Sequence, residues 1–475
     1  IGPASNNVKT LKKMYQAGMD VCRINFSHGT ADFYKDLFEK IRNVSKTDLG
    51  ILVDLPGPKI RIGEVEGKVI LQKDEEFIIT TEEDVMGDNH RVSISHKSLH
   101  KEIEKGQHCY INDGIVGLKV KKVVGQDIIC EVIAEGEISS RKGVNCPDVP
   151  LSLYFPTEND LEKLELALEL GPDFLALSFI RRPEDIAPIR KSLENRFSNI
   201  SLISKIEHRD AVKNFDAILE TSDGIMVARG DLGIEIPTEQ VPAVQKEIIR
   251  KCNTVGKPVI TATQMLESMT YNARPTRAEA SDVANAIIDG TDAVMLSGET
   301  AVGNFPVRVI EVMDRIAAYN ELLIYDRTIE KYSSAKLSIA EILGQAATIA
   351  SRKLDIDAII AITRSGSTPR LISKYRPSKP IIAPTPYETT ARQLQLVWGV
   401  IPVLTEVTTT TDSIILASVK RSVELGLVKR ENSVLIVGGS LLGIPAKTNL
   451  MQVLKVDDVL TMENLTHQQG AHFMG

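Results

Sequence analysis

The sequence predicts an α/β protein built on a (β/α)8 barrel, and three observations predict it. Short buried runs alternate with helix-period segments over residues 8–55 and again from 155 to about 325. Residues 58–154, between those stretches, carry only strand-like runs. The buried runs of the alternating stretches end in polar residues, where barrel enzymes keep their reactive groups.

In chain order, Val8, Leu11, Met14 and Tyr15 recur at helical spacing, and Gly18 closes that helix. Residues 20–25 read as a strand, 32–46 as a helix and 50–55 as a buried strand, the βαβ pattern of a parallel sheet. Pro56-Gly57-Pro58 breaks the pattern and reads as a hinge. Runs at 68–72, 76–80, 116–123 and 127–133, with no long helix, predict a small β domain inserted over 58–154. Alternation resumes at Phe155. Thr157 and Asp160 make a capping box, and Leu161, Leu164 and Leu168 mark one helix face. Strands follow at 174–179, 201–206, 224–228, 259–262 and 293–296. That makes seven where a closed barrel needs eight, so the first strand is expected before Ile1; an open doubly wound sheet is the alternative. The barrel is thus read as 1–57 plus 155–325. Residues 320–336 read as a connector. A C-terminal α/β domain follows over 337–460, with a possible last strand at 450–455, and then a tail over 461–475.

Composition narrows the function. With 475 residues the chain is long enough for two to four domains. Its 43% hydrophobic and 25% charged residues suit an ordinary globular protein. The net charge is −7 and Lys and Arg are scattered, which argues against a nucleic-acid or polybasic membrane surface. There is no run of roughly 18 apolar residues and no signal-peptide pattern. The cysteines Cys22, Cys109, Cys130, Cys146 and Cys252 are scattered without a Cys-x-x-Cys pair, which points to a reducing, cytoplasmic setting and away from zinc.

The chemistry concentrates at strand ends. Arg23, Asn25 and Ser27 follow the first strand, Asp54 the second, and then come Lys205 with Glu207, Asp231, Thr263 with Gln264, and Ser297 with Glu299. Side chains alternate along a strand, so Lys205 and Glu207 face the same way. One Lys–Glu pair on a strand is most simply a rim ion pair, and one Asp before Leu-Gly a turn residue. Five of seven strands ending in charged groups, with a glycine approach at Arg229-Gly230-Asp231, read better as a site. Glu207 and Asp231 supply the one or two carboxylates that magnesium requires when substrate phosphate and water complete its shell. The amides around Gly230 can approach an anion closely, and Arg23 and Lys205 can neutralise phosphate. Such positioning and neutralisation are most of what phosphoryl transfer asks. No Gly-x-x-x-x-Gly-Lys-Ser/Thr, Gly-x-Gly-x-x-Gly or His-Glu-x-x-His occurs to suggest another route.

The stretches RINFSHG (23–29), KGVNCP (142–147), SFIR (178–181), SKIE (204–207), ARGDLGIEIP (228–237), TATQMLESM (261–269) and PTRAEASDVANAIIDGTDAVMLSGETAVGNFP (275–306) carry a resemblance. In order and over nearly the whole chain, the sequence resembles the pyruvate kinase family. The resemblance implies transfer of phosphate from phosphoenolpyruvate to ADP, giving pyruvate and ATP. It implies Mg2+ or Mn2+ on Glu207 and Asp231, and Lys205 facing charge on the moving phosphoryl group and the enolate. Gly230, Asp231 and Thr263 would hold the substrate carboxylate, and Arg23 the phosphate. Thr263 and Ser297 would lie on the proton route to the enolate carbon. Asn25, His28, Arg61 and Lys142 would face the nucleotide under a lid formed by the insertion. A homotetramer is also implied.

One departure concerns potassium. Family members that use it hold it with Asn, Ser, Asp and Thr side chains. Here Asn25, Ser27 and Asp54 are present, but Leu55 replaces the threonine and Lys59 replaces a nearby glutamate. The Lys59 ammonium is therefore expected to substitute for the ion, leaving K+ not required. In the C-terminal domain, Thr363, Ser365, Gly366, Ser367, Thr368 and Pro369 lie between a strand and a helix, with Pro369 at the expected first helical position. They match the family's effector region and predict a phosphorylated allosteric effector. An alternative reading makes Lys205 the Schiff-base amine of a class I aldolase, which needs a neutral lysine without carboxylates beside it. A catalytically silent relative would be expected to lack one of Lys205, Glu207, Asp231 or Thr263, and all four are present.

Overall fold

The structure, a computed structural model, describes all residues except 28, 84, 197–198, 324–336, 409, 440–447 and 462–475. His28, most of the predicted connector and nearly all of the predicted tail therefore lie outside the described residues.

Seven strands form one parallel sheet: Val21–Asn25, Gly50–Leu55, Phe174–Leu177, Ser201–Ile206, Gly224–Ala228, Val259–Ala262 and Ala293–Val294. Their order in the sheet is their order in the chain, whereas a doubly wound sheet reverses direction at a switch point. The sheet curls: its two edge strands line one cavity of about 310 Å³, with Val21 and Arg23 on one side and Ala293 and Val294 on the other. The curl separates the side chains by period 2. Leu52, Phe174, Ala176, Ile203, Met226 and Ile260 fill the inside. Ile51, Val53, Leu175, Leu202, Ile225 and Val227 pack outward with the helices. The last strand is shorter than the expected 293–296, and Leu164 and Ala167 rather than Leu161 are buried on the helix Glu158–Leu170. Leu161 itself is exposed. The capping box of Thr157 and Asp160 is present.

Three strands start just after an aspartate that fastens the neighbouring strand. Asp173 accepts the Ile51 N–H at 2.9 Å, Asp223 the Leu202 N–H at 2.8 Å, and Asp292 the Val259 N–H at 2.9 Å. Each also accepts an arginine: Arg42 at 2.8 Å, Arg190 at 2.8 Å and Arg376 at 2.9 Å respectively. These residues lie at the N-terminal rim, away from the strand ends that carry the polar groups.

Residues 69–145 form a six-stranded sheet of their own plus the pair Val69–Leu71 with Gly136–Ile138, and none of these strands joins the barrel ladder. Phe77, Ile79, Leu118, Cys130 and Val132 build a separate apolar core there. Among the described residues of this part, the only α-helix is Leu99–Glu102. The C-terminal sheet runs Val400–Leu404, Ile381–Thr385, Ala358–Ala361, Ser433–Gly438 and Leu450–Lys455, the last antiparallel. Arg376 and Arg392 from this part reach Asp292 and Asp173, so it docks on the N-terminal rim. No described helix is long and apolar enough to cross a membrane.

Candidate active site

Parallel strands bring their C-terminal ends to one rim, so residues far apart in sequence meet there. Asn25 and Asp54 are register partners, and Lys205 pairs with Met226, two residues before Ala228 ends its strand. Gly230 and Asp231 sit in the first turn of the helix Arg229–Glu235, which opens at once from that strand.

Lys205 is the centre. Its Nζ lies 2.9 Å from Glu207 Oε1 and 3.3 Å from Asp54 Oδ1, and donates to Ser178 Oγ at 2.9 Å. Asp54 also accepts Arg23 Nε at 2.9 Å and Ser178 Oγ at 3.0 Å. Glu207 accepts the Phe179 N–H at 2.7 Å. All three charged residues are buried. Burial pulls the Lys205 ammonium down, but Asp54 and Glu207 outweigh it and hold its pKa above the ordinary lysine value. For Asp54, burial is outweighed by Lys205 and Arg23, which hold it below the usual carboxylate value. Glu207 moves the other way: burial raises it, Lys205 opposes, and neighbouring Asp231 and Asp54 add to the rise. A cation shared with Asp231 would relieve the repulsion that raises Glu207.

Thr263 follows its strand in left-handed backbone, with φ +67°, and Gln264 continues it at +54°. A non-glycine residue held there is strained, and such strain marks sites that the surroundings over-determine. Arg229 supplies the constraint, donating to Thr263 O at 2.7 Å while pairing with Asp282 at 2.7 Å. Thr263 Oγ1 accepts the Gly230 N–H at 2.9 Å. That amide, expected from the sequence to approach an anion, is engaged by Thr263. Ser297 Oγ is buried and has no hydrogen-bond partner among the described residues.

Lys59 differs from its expected place. Its Nζ donates to Asp231 Oδ1 at 2.9 Å and lies 3.8 Å from Asp113, in the turn between the inserted strands His108–Ile111 and Val116–Val124. In the Asn25, Ser27, Asp54 and Leu55 group, Asn25 Oδ1 accepts the Ser27 N–H at 2.9 Å and Leu55 is fully buried. Asp54 is answered there by Arg23 and Lys205, so the Lys59 charge falls one carboxylate away from the expected pocket. Arg61 donates to Arg141 O at 2.9 Å, and the Lys142 carbonyl accepts the Ile62 N–H at 2.9 Å, so both lie on the inserted sheet near Gly143. That sheet touches the barrel through Asn145, whose Nδ2 donates to Glu235 Oε1 at 3.1 Å.

Sequence reasoning passed over Ser178, Phe179 and Arg229 as site residues. Ser178 and Phe179 stand at a strand end like the others, with Phe179 at φ +57°. In the C-terminal domain, Thr363 Oγ1 accepts the Gly366 N–H at 2.9 Å, Ser365 Oγ donates to Ser367 Oγ at 3.2 Å, and Thr368 Oγ1 lies 3.0 Å from Thr448 Oγ1. The helix there starts at Ser367, so Pro369 is its third residue rather than its first. Thr363 and Arg364 line a cavity of about 40 Å³ with Pro384, Thr405 and Ser418.

Among the described residues, no cluster of three or more His, Cys, Asp or Glu is placed to hold a metal. Glu207 and Asp231 give two hard oxygen donors, which fits a magnesium-like ion that leaves its other positions to phosphate and water.

Two family models match the chain: "Pyruvate kinase, barrel domain" over residues 1–310 and "Pyruvate kinase, alpha/beta domain" over 341–454. The pyruvate kinase of Clostridium acetobutylicum is 44% identical over 465 residues, covering 96% of this chain and 98% of its own. That of Bacillus licheniformis is 44% identical over 469 residues, covering 97% and 80%. That of Staphylococcus epidermidis is 43% identical over 470 residues, covering 96% and 80%.

Proposed function

Because the chain belongs to the pyruvate kinase family, we propose that it transfers the phosphoryl group of phosphoenolpyruvate to ADP, giving pyruvate and ATP. The observation that carries the proposal is the charged Lys205 ammonium held 2.9 Å from Glu207, with Asp54 and Arg23 completing the cluster. A lysine with its pKa held up cannot serve as a Schiff-base amine near neutral pH, which leaves the aldolase reading without support.

Lys205 presents fixed positive charge where negative charge develops in transfer, and it needs no reorganisation to do so. Arg23 receives the phosphate of the substrate. The amides of Gly230 and Asp231 and the Thr263 hydroxyl hold the carboxylate, which takes over the Gly230 N–H now donated to Thr263. Ser297, whose buried hydroxyl has no partner among the described residues, carries a proton towards the enolate carbon together with Thr263. Glu207 and Asp231 hold Mg2+ or Mn2+, which neutralises charge on the phosphoryl and enolate oxygens when bound. Asn25, His28, Arg61 and Lys142 meet the nucleotide, and the inserted sheet closes over it and excludes water.

The reading extends to regulation. Arg23 and Lys205 on Asp54, with the Lys59 ammonium nearby as the substitute for the ion, supply fixed positive charge, so activity does not require K+. A phosphorylated effector binds at Thr363, Ser365, Gly366, Ser367 and Thr368, and the enzyme works as a cytoplasmic homotetramer.

The test is pyruvate formation from phosphoenolpyruvate and ADP, followed with lactate dehydrogenase, varying magnesium and potassium separately. Magnesium-dependent turnover without potassium is expected, and Lys59→Glu should create a potassium requirement. No pyruvate would overturn the activity, and a strong rise on adding potassium would overturn the potassium reading alone.

A further inference from the structure

Lys59 puts a protein cation on a carboxylate assigned to the metal. Its Nζ holds Asp231 Oδ1 at 2.9 Å, with both side chains only about a fifth exposed, 22% and 23%. The contact is built in. Lys59 follows the Pro56-Gly57-Pro58 hinge, and its stem runs beneath Gly143 of the inserted sheet, where an added Cβ would stand 2.6 Å from Lys59 Cε. The Phe179 ring lies 5.9 Å from the ammonium, and Asp113, in a hairpin turn of the inserted domain, lies 3.8 Å from it. A divalent ion on Asp231 and an ammonium on Oδ1 of the same carboxylate repel each other and compete for its lone pairs.

We propose that Lys59 is a resident competitor for Asp231: a divalent ion displaces its ammonium, which withdraws towards Asp113. Metal loading is thereby coupled to the contact between hinge, inserted sheet and barrel rim. The inference rests on Asp231 being a metal ligand.

The experiment is a titration with Mn2+ alone, without substrates and at fixed ionic strength, reading free Mn2+ by electron paramagnetic resonance. Lys59→Met should tighten Mn2+ binding about two- to fivefold, the worth of a part-exposed ion pair. Lys59→Arg should stay near the wild-type value, and Asp231→Asn should weaken binding strongly. If Asp231→Asn binds like wild type, the assignment of Asp231 as a ligand falls and the inference falls with it. If Asp231→Asn loses the ion while Lys59→Met binds no tighter than wild type, the competition alone is overturned. The wild-type protein gives a second reading that needs no variant. Mn2+ should raise acetylation of Lys59 by acetic anhydride, measured by mass spectrometry, and an unchanged or lower extent would contradict the displacement.

Discussion

At the N-terminal rim of the barrel, Asp173, Asp223 and Asp292 each receive a strand N–H and an arginine. At the C-terminal rim, Asp54, Glu207 and Asp231 share Arg23, Lys205 and Lys59 instead. The residue types are alike, and the satisfaction differs. Arginine's planar fork is permanently charged and spans elements, so it locks strands, helices and the C-terminal domain together. A lysine ammonium is a point charge that can be divided between carboxylates and redirected when substrate charge arrives. One rim therefore holds the fold, and the other holds charge in readiness for chemistry.

The sharpest break in that comparison is Lys205→Met, which should lower kcat about a thousandfold, as for loss of a preorganised charge at a reacting group. Circular dichroism should show the fold retained. Asp173→Asn is the counterpart at the other rim. It leaves Arg42 and Arg392 facing a neutral side chain and should cost about 3 kcal/mol of stability by denaturant unfolding, with kcat of the folded enzyme kept near wild type. A kcat loss as large as that of Lys205→Met would break the division of labour between the rims.

A smaller effect tests the contact between inserted sheet and barrel. Burial pushes Glu235 up to about 7; Asn145 and Arg209 oppose the rise and Asp231 adds to it. A carboxyl whose folded pKa is raised binds its proton longer folded than unfolded, so stability falls as pH climbs from the unfolded value near 4.5 to about 7. Glu235→Gln removes that fall. Its melting temperature should gain on wild type from pH 5 to pH 8, and a gap that stays constant with pH would contradict the assignment.

Much of this was legible because buried parallel strands are continuous apolar runs and their polar ends stand out. Lys205, Glu207, Asp54 and Arg23 were found that way, and the structure brings all four together. The N-terminal rim had a signal that passed unread: Pro172-Asp173-Phe174, Ser222-Asp223-Gly224 and Thr291-Asp292-Ala293 repeat an aspartate just before a strand. The helix Glu158–Leu170 misled because Leu161 fits the spacing while Ala167 takes the buried position. Thr263's left-handed backbone is set by Arg229 from the neighbouring strand end, which no local pattern encodes. The reach of Lys59 to Asp231 depends on the inserted sheet crossing over it at Gly143, a contact between segments far apart in the chain.

The most direct test of the division between the rims is the rate of pyruvate formation by Glu207→Gln, read beside its melting temperature. Burial and the neighbouring Asp231 and Asp54 already disfavour the Glu207 charge, so neutralising it should leave the melting temperature at or above wild type. The rate should drop at least about a hundredfold with saturating magnesium. A rate within a few fold of wild type, or a loss explained by unfolding, would contradict the account.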